Sequence, residues 1–129
     1  MATVLIVDDE PHVVELVRVT LEDEHLRVVA AADGASALEM AATFEPDLVL
    51  LDVHLPDFSG LEVCRRLRDD PRCAGAKIVM LTAAAQRDDV ARGLAAGADH
   101  YLTKPFSPVR LLTLVEDLVP GVRLWAHGA

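Results

Sequence analysis

Five polar side chains stand at the ends of short apolar segments, and their types suit metal and phosphoryl chemistry. Carboxylates follow the segments TVLIV and LVLL, a hydroxyl follows KIVML, and an ammonium group follows a segment at 100–102; the residues are Asp8, Asp9, Asp52, Thr82 and Lys104. Short apolar runs bounded by turn residues are typical of strands buried on both faces of a parallel sheet. The carboxyl ends of such strands meet at one edge, where ligands bind. We therefore expect these side chains to converge.

The charges of this group favour a bound divalent cation. Three carboxylates set close together repel one another, and one ammonium group does not balance them. Mg²⁺ binds a few carboxylates and a carbonyl while retaining waters, and a substrate phosphate completes its shell. We predict a Mg²⁺ site at this edge of the sheet, with Mn²⁺ as a possible substitute.

Asp52 is the residue best suited to covalent chemistry. A carboxylate can act as a nucleophile and form an aspartyl phosphate, while the cation and Lys104 stabilise the charge on the transferring phosphoryl group. The Thr82 hydroxyl can then donate to a phosphoryl oxygen. Taken singly, these residues have ordinary interpretations, since an aspartate after a strand is usually a turn residue or a helix cap. Their occurrence together at four strand ends favours the chemical interpretation.

Predicted strands and helices alternate along the chain. We predict strands at 3–7, 27–31, 48–51, 77–81 and 100–102, and helices at 11–23, 35–43, 60–68, 87–96 and 108–119. Pro11 and Pro108 stand at favourable first-turn positions, and Gly97 ends the fourth helix. Five βα units predict an α/β fold with helices on both faces of a parallel sheet. We expect one domain at 1–119, followed by a short tail or linker start at 120–129.

Composition argues against several classes of function. The chain has 129 residues, of which 52% are hydrophobic and 26% charged, as is typical of a globular domain. Its net charge of −9 and the lack of a basic stripe argue against direct binding of nucleic acid. No apolar run approaches the length of a membrane span, and the first residues, MATVLIVDDE, lack a signal-peptide pattern. We expect no membrane partner and a cytoplasmic location.

The two cysteines are predicted to be reduced structural thiols, because no paired cysteine motif is present. Cys64 falls on the apolar stripe of a predicted helix. Cys73 falls in a loop and is expected to be the more exposed of the two.

Four motifs give the chain a family resemblance. VLIVDDEP, LVLLDVHLPDFSGLEVCRRLR, IVMLTA and GADHYLTKPF together resemble the receiver (REC) domains of two-component response regulators, including those of the chemotaxis-regulator type. The resemblance covers about residues 3–119. It implies a flavodoxin-like (βα)5 three-layer sandwich with strand order 2-1-3-4-5. It also implies a signalling switch, not an enzyme that converts a separate substrate, which accepts a phosphoryl group from a histidine kinase or a histidine phosphotransfer protein.

The resemblance implies a metal site around the phosphoacceptor. Asp52 is implied as the phosphoacceptor. Asp9 and Asp52 are implied as direct Mg²⁺ ligands, and Asp8 as acting through water or a shared shell. The backbone carbonyl of His54 is implied as the remaining protein ligand.

The resemblance also implies a switch. Thr82 is implied as the switch hydroxyl and Lys104 as the contact to the phosphoryl group. Tyr101 is implied as the aromatic residue that turns inward when Thr82 moves toward the phosphate. The Lys104–Pro105 bond is expected to be cis, which would direct the ammonium into the site.

Two positions depart from the family's commonest pattern. His54 stands where methionine or asparagine is frequent, and Ala84 is a small residue two positions after Thr82. In the family these positions flank the route of the hydrolytic water. We expect His54 to have a modest effect on the lifetime of the phosphoryl group, in either direction, and the dephosphorylation rates of wild type and His54→Met test this.

The expected output surface is the face of the fourth helix, fifth strand and fifth helix, which would bind a downstream protein or an output domain. The chain is expected to be a monomer or a phosphorylation-dependent dimer. Two alternatives stay open. A degenerate receiver would be a binding module only, and its sign would be the loss of Asp9, Asp52 or Lys104. An aspartate-nucleophile phosphohydrolase of the haloacid dehalogenase type would need an acid at the position of His54.

Overall fold

Five strands and five helices alternate along the part of the chain that the computed structural model describes, namely residues 1–83, 87–119 and 121, with only the backbone described at 87–89. The strands are β1 (Ala2–Val7), β2 (Leu26–Ala31), β3 (Leu48–Asp52), β4 (Lys77–Ala83) and β5 (His100–Lys104). The helices are α1 (Pro11–Leu21), α2 (Gly34–Phe44), α3 (Gly60–Asp69), α4 (Arg87–Ala95) and α5 (Pro108–Leu118). None of these helices is long and apolar enough to cross a bilayer. The predicted βα alternation is therefore confirmed.

The sheet is parallel throughout, with the strand order β2-β1-β3-β4-β5. This confirms the predicted α/β fold and its flavodoxin-like order. The order reverses between β1 and β3, and a ligand site is expected at such a switch point, outside the carboxyl ends of the strands. Val7 pairs with Leu51 at the ends of these two strands. The next residues, Asp8 and Asp52, are therefore neighbours at the switch point.

Two apolar layers cover the faces of the sheet, because alternate residues of each strand point to opposite sides. Leu5 and Val7 of β1 belong to an apolar cluster with residues of α2 and α3, whereas Val4 and Ile6 belong to one with residues of α1 and α5. All four side chains are 0% exposed. The continuous apolar character of β1 and β3 in the sequence thus reflects burial on both faces of the sheet.

The helix α1 ends at Leu21, two residues before the predicted end at 23. The side chains that follow fold the chain back toward β2. Glu22 Oε2 accepts a hydrogen bond from the backbone N–H of Val28 at 3.2 Å, and Asp23 Oδ1 accepts one from Leu26 at 2.9 Å. Acidic side chains that bind backbone groups in this way compete with the helix and end it.

The strands β4 and β5 extend further than the apolar pattern indicates. Their parallel pairing continues through Thr82 with Thr103 and Ala83 with Lys104. The apolar runs end at Leu81 and Leu102, but the ladder of backbone hydrogen bonds does not. Thr82 and Lys104 therefore lie within the last residues of their strands, where hydrogen bonds between the strands fix the backbone.

Arg68 fixes the sheet at the amino ends of β4 and β5, opposite to the carboxyl ends that carry Thr82 and Lys104. Its guanidinium donates hydrogen bonds to the carbonyls of Gly97 at 2.8 Å and Ala76 at 2.6 Å, and to Asp99 Oδ2 at 2.6 Å. The same Asp99 oxygen accepts a hydrogen bond from the backbone N–H of Ile78 at 2.8 Å. The end of α3 is thereby fixed to the first residues of β4 and to the turn before β5.

Both cysteines are buried, and Cys73 is the more exposed of the two by a small margin only. Cys64 is 0% exposed and Cys73 is 2% exposed. The loop after α3 turns back on itself, with hydrogen bonds from Cys73 N–H to the Asp70 carbonyl and from Ala76 N–H to the Cys73 carbonyl. Cys73 is thereby directed into the core. Burial raises the pKa of both thiols, which suits structural residues.

Candidate functional site

Two buried carboxylates lie at the switch point of the sheet. Asp8 is 1% exposed and Asp52 is 6% exposed. Asp8 Oδ1 accepts a hydrogen bond from the Glu10 backbone at 2.9 Å, and Asp52 Oδ1 accepts one from the His54 backbone at 3.1 Å. Each carboxylate is therefore oriented by the loop that follows its strand. The second oxygen of each faces Lys104.

The ammonium of Lys104 lies among three carboxylates. Its Nζ is 2.7 Å from Asp8 Oδ2, 3.2 Å from Asp52 Oδ2 and 3.3 Å from Glu10 Oε1. The Lys104 side chain is 19% exposed, so its pairs with the buried Asp8 and Asp52 are largely shielded from water, whereas its pair with Glu10 is not. The Lys104–Pro105 bond is cis, as the resemblance implies. One ammonium group facing three carboxylates leaves the site with excess negative charge.

The titration of Asp52 and Lys104 reflects this crowding. Burial raises the pKa of Asp52, and the charge of Asp8 acts in the same direction, against the lowering effects of the His54 hydrogen bond and of Lys104. Burial alone would lower the pKa of Lys104, but the carboxylates of Asp8 and Asp52 outweigh it and raise that pKa. The ammonium therefore stays charged, while the Asp52 carboxylate is costly to keep ionised.

The site has the oxygens that a hard divalent cation requires. Asp8 Oδ2 is buried beside the Lys104 ammonium at 2.7 Å, and among the described residues it has no other close hydrogen-bond donor. One carboxylate oxygen from each of Asp8, Glu10 and Asp52 lies within 4.8 Å of the other two. Clustered carboxylate oxygens suit Mg²⁺. The residues present therefore fit the predicted cation.

Asp9 is placed apart from this cluster. Asp9 is exposed, and the group of close carboxylate oxygens contains Glu10 in its place. The implied ligand roles of Asp9 and of the His54 carbonyl stay predictions.

Thr82 and Tyr101 occupy different environments. Thr82 is 3% exposed, and its Oγ1 donates a hydrogen bond to the Ala83 carbonyl at 3.0 Å. Tyr101 is 40% exposed, on β5. The Tyr101 ring thus lies at the surface while the threonine hydroxyl is bonded to its own strand. Ala84 and most of the predicted tail at 120–129 lie outside the described residues.

The loop after Asp52 is held to two helices. Asp57 Oδ1 accepts a hydrogen bond from Gly34 N–H at 2.8 Å, and Oδ2 accepts one from Ala35 N–H at 2.9 Å, both at the start of α2. Burial would raise the pKa of Asp57, but these N–H groups hold it below its usual value. At the other end of the loop, a Cβ on Gly60 would collide with the Asp52 carbonyl oxygen. The loop therefore packs closely against the strand that carries Asp52.

Glu10 and Asp57 are residues whose roles the sequence patterns did not indicate. The third acid of the run Asp8, Asp9, Glu10 was a signal that could have included Glu10 in the candidate cluster. The sequence around Asp57 is typical of a turn and indicates no further role for this residue. Its partners lie 23 and 22 positions earlier, so no local pattern indicates the contact.

Comparison with known proteins supports the same family. Residues 4–116 match the model of the response regulator receiver domain. The DNA-binding dual master transcriptional regulator RpaA of Synechocystis is 42% identical over 119 residues, which are 92% of this chain and 49% of that protein. The alkaline phosphatase synthesis transcriptional regulatory protein PhoP of Bacillus subtilis is 47% identical over 105 residues, which are 81% of this chain and 43% of that protein. The chain thus spans about half the length of these relatives, or less.

Solved structures show the same architecture. The chemotaxis response regulator CheY4 of Vibrio cholerae superposes with a TM-score of 0.85 at 34% identity, covering 92% of this chain and 99% of that one. A putative response regulator from Chloroflexus aurantiacus also superposes with a TM-score of 0.85, at 37% identity, covering 91% and 96%. With its strand order and family match, the chain belongs to the receiver domain family of two-component response regulators.

Proposed function

We propose that this receiver domain is a phosphoacceptor switch in which Asp52 takes a phosphoryl group from a histidine kinase or a histidine phosphotransfer protein. The observation that carries the proposal is the contact of the buried Asp52 carboxylate with Lys104 at 3.2 Å, next to the buried Asp8 oxygen. A nucleophile, a counter-charge and an acidic cation pocket are the parts that phosphoryl transfer needs. Membership of the family supports the general role.

In this proposal, each polar group has a defined task, and Asp52 has two. An Asp52 oxygen attacks phosphorus, a P–O bond forms, and the bond from phosphorus to the donor's nitrogen breaks with its electron pair leaving on that nitrogen. Lys104 compensates charge on the phosphoryl oxygens. Asp8, Asp9, Asp52 and the His54 carbonyl are the proposed holders of Mg²⁺, which when bound reduces the repulsion between the carboxylates and the phosphoryl group.

The first expected result is Mg²⁺-dependent modification of the wild-type chain. Incubation with acetyl phosphate and Mg²⁺ should add the mass of one phosphoryl group, as measured by intact mass spectrometry. Excess EDTA should prevent the addition, because the crowded carboxylates then repel the donor. Equal incorporation with EDTA would contradict the metal's role, and no incorporation under any condition would contradict the phosphoacceptor role.

The proposed switch acts through Thr82 and Tyr101. The threonine hydroxyl, now bonded to Ala83, would turn to a phosphoryl oxygen, and the exposed Tyr101 ring would move inward behind it. A new charge that reorganises a local hydrogen bond is a common basis for such switches.

Tyr101 is the single tyrosine of the chain, which makes this movement measurable. After labelling with fluorotyrosine, phosphorylation should shift the one ¹⁹F resonance and reduce its sensitivity to solvent, because the ring becomes buried. Thr82→Ala should accept the phosphoryl group but leave the resonance near its starting position. An unchanged wild-type resonance on fully phosphorylated protein would rule out the movement.

The proposed output surface is formed by α4, β5 and α5, and it would contact a downstream protein or an output domain. The chain would act as a monomer or a phosphorylation-dependent dimer, in the cytoplasm. Several relatives, RpaA among them, are named as DNA-binding regulators, and RpaA is about twice as long as the matched region. With a net charge of −9, we propose that this chain makes no direct contact with nucleic acid.

Receiver domains are signalling switches and generally not enzymes. We propose that the catalysis by this chain is limited to its own phosphorylation and dephosphorylation.

A further inference from the structure

Glu10 stands at the N-cap position of α1 but does not cap the helix. Its side chain accepts no hydrogen bond from the first turn, where Pro11 follows, and glutamate is not a favoured N-cap residue. The carboxylate instead reaches the site, with Oε1 at 3.3 Å from Lys104 Nζ and Oε2 at 3.2 Å from His12 Nε2. Local helix stability therefore does not explain where this side chain lies.

The position of Glu10 completes a set of three carboxylates. One of its oxygens lies within 4.8 Å of oxygens of both Asp8 and Asp52. The Asp8 side chain is 0% exposed, and its Oδ2 has no close hydrogen-bond donor besides Lys104 among the described residues. This oxygen meets the Lys104 ammonium at 2.7 Å, and a carboxylate oxygen has a second lone pair with which to bind a further ligand. Asp9, the implied ligand, is exposed and outside the set.

We propose that Glu10 shares Lys104 with Asp8 and Asp52 in the absence of a cation and is a further ligand that supplies a carboxylate oxygen to the divalent cation when one binds. This inference rests on the proposed function and adds a residue to the expected cation site. The Glu10 side chain is 47% exposed, whereas that of Asp8 is fully buried, so Glu10 is the member with the most freedom to move.

The movement of the Glu10 carboxylate from Lys104 to the cation has an electrostatic cause. A divalent cation among the carboxylates repels the ammonium of Lys104 and competes for the same oxygens. When Glu10 turns from the ammonium to the cation, Lys104 loses one of its three partners. The ammonium is then freer to meet a phosphoryl oxygen. Cation binding and lysine release are thereby coupled through Glu10.

Mg²⁺ titration by calorimetry, in the absence of phosphodonor, tests this role. Glu10→Gln keeps the size of the side chain and removes its charge. It should weaken Mg²⁺ binding by about tenfold or more, because even groups that only orient metal ligands change metal affinity by about 10- to 100-fold. Glu15→Gln, which removes the same charge from an exposed position on α1, should bind as wild type does. Equal affinities for all three proteins would overturn the proposal.

Repeating the comparison in a Lys104→Met background separates ligation from lysine pairing. If Glu10 contacts the cation, Glu10→Gln weakens Mg²⁺ binding in this background as well. If Glu10 only balances Lys104, the effect disappears, and the proposal is overturned while the phosphoacceptor function stands. Failure of the wild-type chain itself to bind Mg²⁺ or to accept a phosphoryl group would instead overturn the proposed function.

Discussion

Replacing Asp52 with asparagine should abolish phosphoryl acceptance and at the same time raise the free energy of unfolding at pH 7. The amide is not a nucleophile, so no acyl phosphate forms. The stability gain arises because burial and the nearby Asp8 charge make the ionised carboxylate unfavourable. His54 N–H and Lys104 Nζ donate to different oxygens of Asp52, so the single amide oxygen keeps only one of these hydrogen bonds, which limits the gain. We expect a gain of about 1 kcal/mol, within the usual range for relieving strain at a functional site.

The pH dependence of the stability difference tests whether the raised pKa of Asp52 is its cause. Because folding raises this pKa, the free energy of unfolding of the wild type should increase relative to that of Asp52→Asn as the pH falls from 7 through that pKa toward the ordinary aspartate value of about 3.9. The advantage of Asp52→Asn should therefore shrink in acid. Urea unfolding with EDTA at several pH values measures it, with Asp117→Asn, at an exposed position on α5, as the matched control. A loss of stability at pH 7 in Asp52→Asn would contradict this account.

Replacing Lys104 with methionine should weaken both the fold and the chemistry. Methionine retains most of the side-chain volume but leaves the buried Asp8 and Asp52 carboxylates without their counter-ion. Breaking a largely buried pair by removing one partner is costly, and we expect a loss of about 1–3 kcal/mol at pH 7 without metal. Without the Lys104 ammonium, the negative charge on the phosphoryl oxygens is no longer compensated, and we expect phosphorylation to slow by about 100-fold.

Lys77 provides the matched control, because it is the other lysine of the chain and is exposed at the start of β4. Lys77→Met should unfold and react as wild type does. Thermal and urea unfolding with EDTA, followed by phosphorylation rates with acetyl phosphate and Mg²⁺, give both readouts. Mg²⁺ should restore part of the stability lost in Lys104→Met, because it replaces the missing positive charge. Unchanged stability and rate in Lys104→Met would show that the ion pairs have no such role.

The fold could be predicted from the sequence because its signals are local. Continuous apolar runs such as 48–51 indicate strands covered on both faces, and Pro11 and Pro108 mark helix starts that the structure retains. The ends of β4 and β5 could not be predicted in this way, since hydrogen bonding between Thr82 and Thr103, and between Ala83 and Lys104, extends the strands beyond their apolar residues.

The candidate site was predictable to the extent that strand ends determine it. The parallel register brings Asp8 beside Asp52, and Lys104 reaches both. Glu10 and Asp57 each have several polar groups that they could contact, and only the tertiary structure determines which of these groups lies within reach. Asp57 binds the backbone at the start of α2, and Glu10 turns to Lys104 although it stands at a cap position.

Chemical trapping of the acyl phosphate tests the central claim most directly. Borohydride reduces an aspartyl phosphate to homoserine, so the modified position can be read from a peptide map of wild-type chain treated with acetyl phosphate and Mg²⁺. We predict homoserine at position 52 and at no other aspartate. Homoserine at Asp8, Asp9 or Asp57 instead, or none in protein that carries the added mass, would contradict the assignment of Asp52 as the phosphoacceptor.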